Sequence, residues 1–92
     1  MNVRINMNYQ GRVQGVGFRW KVSQIAKSFA CTGYVKNLPN GSVELLVEGE
    51  KYEAQHMVET INLKMKGFWH DKTMDEREGD SHFGDFGIEH WK

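Results

Sequence analysis

Val3, Ile5, Met7 and Tyr9 alternate with Arg4, Asn6, Asn8 and Gln10, the period of two that gives a strand one buried face. Beyond Gln10 the alternation stops in a segment punctuated by Gly11, Gly15 and Gly17. The period then changes: Phe18, Val22, Ile25, Ala26 and Phe29 recur at helical spacing, with Gly33 as the expected stop. Two short β-type runs, 34–38 and 42–48, flank Pro39-Asn40-Gly41, whose residues suit a hairpin turn, and Val43, Leu45 and Val47 share one face. Ala54, Met57, Val58, Ile61 and Met65 mark a second helix. It follows Glu50 and Glu53, where the helix dipole favours acids, and Gly67 closes it. Residues 68–74 form a fourth strand with a poor pattern, because Trp69 shares its side with Asp71 and Thr73. The acidic run 75–81 reads as a loop, and Phe86 and Ile88 mark a last strand.

The order β-α-β-β-α-β predicts an α+β, ferredoxin-like split β-α-β sandwich, an antiparallel sheet with two helices on one face. In that arrangement Val3, Ile5, Val43, Val47, Phe86 and Ile88 meet Val22, Ile25, Phe29, Val58 and Ile61. A length of 92 residues predicts one domain over 1–92, large enough to bury roughly 60–65% of its unfolded surface. With 39% hydrophobic residues and 11 aromatics, summed from Trp 3, Tyr 3 and Phe 5, the chain is not disordered. Cys31 is the single cysteine, so no internal disulfide forms and a reducing, cytoplasmic setting is expected. The first ten residues lack the apolar run of a signal peptide, and no stretch approaches the roughly 20 apolar residues of a membrane span.

Net charge is zero but unevenly placed. Residues 1–43 carry six Lys/Arg and no acid, whereas 44–92 carry six Lys/Arg and twelve acids. A neutral chain lacks the basic face that general nucleic-acid binding requires, although its first half suits one small anion. The glycine-rich crossing into the first helix can form a nest of inward-pointing amides, and the helix N-terminus adds unsatisfied N–H groups. Arg19 in the first helical turn would be unfavourable there without an anion, which its fork can grip at two points. The spacing is neither that of a dinucleotide-binding turn, since Trp20 stands where the third glycine belongs, nor that of a Walker loop. Asn37, just before the hairpin turn, is either turn chemistry or a positioned polar group. The scattered His56, His70, His82 and His90 have no spacing suited to zinc, the acidic run lacks the positions of a calcium loop, and Cys31 reads as a small buried hydrophobe.

Gly11-Arg12-Val13-Gln14-Gly15-Val16-Gly17-Phe18-Arg19 and Gly33-Tyr34-Val35-Lys36-Asn37, followed by Gly41-Ser42-Val43-Glu44 and Gly49, resemble the two signature stretches of the acylphosphatases. The likeness spans residues 3 to about 65 and thins beyond Gly67, where Trp69 to Met74 lacks the usual apolar alternation. The resemblance implies a hydrolase that splits a carboxyl–phosphate mixed anhydride into carboxylate and inorganic phosphate, with no metal or other cofactor. It implies that the backbone of Gln14, Gly15, Val16, Gly17 and Phe18, with Arg19, binds the phosphoryl group, and that Arg19 and Asn37 are catalytic, Asn37 orienting the attacking water. The expected partner is a small acyl phosphate, not nucleic acid or membrane, and the expected state is a monomer. Two other readings are an RNA-recognition domain, disfavoured because its aromatic motif would sit on a central strand, and an acyl- or carbamoyl-phosphate-binding module, as acylphosphatase-like domains are in larger hydrogenase-maturation proteins.

Overall fold

A computed structural model describes residues 1–90. The elements are β1 (Asn2–Gly11), α1 (Phe18–Ala26), β2 (Thr32–Asn37), β3 (Val43–Glu50), α2 (Lys51–Lys64), β4 (Trp69–Glu78) and β5 (Phe86–Glu89). They build one five-stranded sheet in the order β4-β1-β3-β2-β5. Val3, Ile5, Met7 and Tyr9 lie in register with Gly49, Val47, Leu45 and Val43, so the two alternating rows form one apolar face. Against it pack Phe18, Val22 and Ala26 from α1 and Ala54, Met57, Val58 and Ile61 from α2, with Met65 just beyond. Glu50 caps α2, its carboxylate accepting from the amides of Tyr52 and Glu53. Tyr9, fully buried, donates its hydroxyl to Asn62 Oδ1 at 2.6 Å, and burial raises its pKa.

Four expectations need correction. The sheet is mixed, because β5 runs parallel to β2. β4 runs antiparallel to β1 and ends beside Val3, at the end of the sheet where β2 begins. Residues 79–85 therefore cross along that end, and β5 starts out in the same direction as β2. The acidic residues 75–78 are strand and not loop, because β1 is long enough to extend the ladder to the Val3–Glu78 pair. Helix α1 stops at Ala26, and a tight turn through Ser28 and Phe29 follows. Gly33 lies within β2 at φ 137°, where a Cβ would run into the Leu46 carbonyl, so it serves close strand packing instead of ending a helix. Ile88 is 38% exposed and stands outside the core.

The crossing segment is held by a carboxylate that the alternation does not single out. Glu48, on the helix-free side of β3, is 0% exposed. Its Oε2 accepts from Arg4 Nε at 2.8 Å and from the His82 amide at 2.8 Å. Its Oε1 accepts from Thr32 Oγ1 at 3.0 Å and the Phe83 amide at 3.1 Å. The Phe83 ring then rests edge-on against Tyr34. Burial alone would raise this carboxyl, but the four donors outweigh it and hold the pKa below the ordinary value. A carboxylate with a lowered folded pKa stabilises fully above its unfolded pKa, and that contribution is lost as the pH falls through the folded value. Glu48→Ala is expected to cost about 3 kcal/mol at neutral pH, since it leaves buried donors unpaired. Denaturant titrations of Glu48→Gln should show a lower neutral plateau and a flatter acid limb than wild type. Equal stability of both proteins from pH 7 to pH 3 would refute the account.

Candidate active site

β1 and α1 are joined by residues 12–17, and the join turns on two glycines in the left-handed region, Gly15 at φ 75° and Gly17 at φ 79°. A side chain at either φ would be strained although each has open space around it. Gly17 is the N-cap of α1, no side chain caps that end, and the first turn holds no acid. The first amides of the helix are thus free of capping side chains at the positive end of its dipole. Gln14 fixes the loop from outside: its carboxamide Nε2 donates to Leu38 O at 2.8 Å and Ser42 O at 2.9 Å. One side chain thereby ties the loop to the β2–β3 hairpin.

Asn37 ends β2 on the helix-facing row that begins with Gly33 and Val35. The turn that follows is built by another residue. Asn40 Oδ1 accepts from the Ser42 amide at 3.0 Å and the Ser42 hydroxyl at 2.6 Å. Asn37 Oδ1 is buried without a hydrogen-bond partner. A buried acceptor left unpaired is costly. The side-chain hydrogen bonds of the turn are thus made by Asn40 and not by Asn37.

These parts meet around a cavity of about 320 Å³, lined by Val13, Gly15, Gly17, Phe18, Arg19 and Asn37 with Trp20, Ile88 and His90. Arg19 reaches the end of β5, where its Nη1 lies 3.5 Å from Glu89 O and 3.2 Å from His90 Nδ1. The side chains of Gln14 and Val16 stand outside the wall, the first tethering the hairpin and the second packing on the core. Trp20, Ile88 and His90 were not foreseen as neighbours of the site. Trp20, 61% exposed beside the glycine loop, had a readable signal in being a large apolar residue in the first helical turn. His90 had none, because only the parallel placement of β5 brings it to Arg19. Cys31 is buried, and burial followed by the charges of Glu53 and Glu50 pushes its thiol up to about 11, which suits a hydrophobe and not a nucleophile. Among the described residues, no three His, Cys, Asp or Glu side chains gather as a metal site.

A family model described as acylphosphatase matches residues 5–88, nearly the whole chain. The chain belongs to the acylphosphatase family. An acylphosphatase of Picrophilus torridus is 34% identical over 80 residues, covering 87% of this chain and 94% of its own length. One from Thermococcus kodakarensis is 43% identical over a shorter stretch of 56 residues, so the aligned part spans only 62% of that relative. The crystal structure of the acylphosphatase from Bacillus subtilis superposes with a TM-score of 0.80 at 31% identity, over 94% of this chain and 97% of that one. HypF of Thermococcus kodakarensis carries a similar unit, with a TM-score of 0.79 at 28% identity, over 100% of this chain and 12% of that one. Membership of the acylphosphatase family thus rests on the full β-α-β-β-α-β frame as well as on the glycine loop.

Proposed function

We propose that this acylphosphatase-family chain hydrolyses acyl phosphates to carboxylate and inorganic phosphate. The observation that carries the reading is one cavity lined by a left-handed glycine loop at an uncapped helix N-terminus, by the Arg19 side chain and by Asn37. Backbone amides of Gln14 to Phe18 cradle the phosphoryl oxygens, and Arg19 neutralises the charge on them. The Asn37 carboxamide, in the wall of the same cavity, orients the attacking water with a lone pair toward phosphorus. Water adds to phosphorus as the P–O bond to the carboxylate breaks, and the water's proton leaves through a substrate oxygen. Trp20 and Ile88 supply apolar wall beside the cradle, where an acyl substituent lies.

Small size is no obstacle to this chemistry. A carboxylate leaving group has a pKa of about 4, so it departs without a general acid. Phosphoryl transfer of this kind depends on positioning and charge stabilisation. The single cysteine supports a reducing, cytoplasmic location, and no described helix is long and apolar enough to cross a membrane. The test is phosphate release from acetyl and benzoyl phosphate with a chelator present. Turnover of both is expected, undiminished by the chelator. Tight phosphate binding without release would support a binding module instead.

A further inference from the structure

β4 lies at the edge of the sheet and, among the described residues, pairs with β1 alone. It is ten residues long and nearly all exposed, including Met74 at 61%. An edge of this length presents an unpaired row of backbone N–H and C=O groups and is a template for another strand. Its register with β1 assigns the side chains to two faces: Lys72, Met74 and Glu76 share the helix side with Tyr9, Met7 and Ile5, while Asp71, Thr73, Asp75 and Arg77 lie on the other.

We propose that two copies of this chain associate through β4, antiparallel and edge to edge, about a two-fold axis at Met74. The argument is the charge order of the strand. In an antiparallel pair opposite residues share a face, so a symmetric pairing can centre only on a residue and never between two. With the axis at Met74, Asp71 faces Arg77 and Lys72 faces Glu76, each contact made twice, while His70 faces Glu78 and Thr73 faces Asp75. Move the axis to Thr73 and Asp71 faces Asp75. At Asp71, Lys72, Asp75, Glu76 or Arg77 a charge faces its own copy. Opposite charges across strands stabilise and like charges destabilise, so the strand accepts one central register and rejects its neighbours. Charges that protect an edge against indiscriminate pairing here specify one pairing.

The helix side agrees with this placement. A two-fold axis perpendicular to the sheet keeps the helices of both copies on one side. Each Met74 then meets its mate beside a groove of about 210 Å³ whose walls include Ile5, Val58, Glu59, Met74 and Glu76. One strand pair is a small interface, in the transient class. The expected dissociation constant is on the order of 10–100 μM, and the monomer expected from the sequence is the dilute species.

Sedimentation velocity of the full chain at ~5 and ~500 μM reads the association, because the predicted constant lies between. Wild type is expected to shift from monomer to dimer across that range and to lose dimer in high salt. Lys72→Glu sets carboxylate against carboxylate at both contacts and Glu76→Lys sets ammonium against ammonium, so each alone is expected to stay monomeric at the higher concentration. Mixed in equal amounts they are expected to associate, because each copy then offers the charge that the other lacks. Circular dichroism confirms that each variant is folded. Wild type that stays monomeric, a single variant that dimerises as wild type does, or a mixture that fails to associate would each overturn the proposal.

Discussion

Arg19→Ala is expected to lower kcat/KM for acetyl phosphate by about 10³–10⁵, the range over which an arginine on a transferring phosphoryl group acts. Arg19 is the permanent cation in the wall of the cavity, and the loop amides beside it contribute only partial charges. Its side-chain hydrogen bonds in the structure are a long, part-buried one to Glu89 O and an exposed one to His90, so the variant should keep its fold and its thermal midpoint. Arg19→Lys restores the charge but not the planar fork and should recover only part of the loss. Phosphate release, measured beside circular dichroism, decides the matter. A folded Arg19→Ala protein with near-normal turnover would remove Arg19 from the chemistry.

Asn37→Ala is expected to lower kcat by on the order of 10²–10³, as for the loss of one oriented amide at a transition state. KM should change little, because the carboxamide is assigned to water and not to the phosphoryl group. Stability should move the other way. Asn37 Oδ1 is buried and unpaired in the folded chain, so replacing it with a methyl removes a desolvated acceptor. A thermal midpoint equal to or above that of wild type is therefore expected together with the loss of activity. A marked drop in midpoint would instead identify Asn37 as part of the hairpin.

Much of the frame could be read in advance because its elements have strong, unbroken periods. The row Val3, Ile5, Met7, Tyr9 and the α2 set Ala54, Met57, Val58, Ile61 all became core. β4 was poorly legible for a physical reason. It is an edge strand, and of its helix-side residues Lys72 and Met74 remain exposed, so no apolar alternation is required. Its course is set by the ladder with β1, a partner far away in sequence. Gly33 misled for a related reason. A glycine after a helical pattern usually ends the helix, but this one answers to the Leu46 carbonyl on a neighbouring strand.

The sequence by itself determined the two helices, the hairpin and the glycine loop leading into Arg19, because local period, turn residues and helix polarity are properties of short segments. It also offered Asn37 as one of two alternatives. Only the tertiary structure gives the side-chain hydrogen bonds of the turn to Asn40, buries the Asn37 oxygen without a partner and sets Asn37 in the wall of the cavity that Arg19 lines. It alone set β5 parallel to β2, brought His90 and Ile88 to the site, and buried Glu48 beneath the crossing segment. Each of these depends on contacts between residues far apart in the chain, where the energy comes from burial and hydrogen bonding across strands and no local pattern records it.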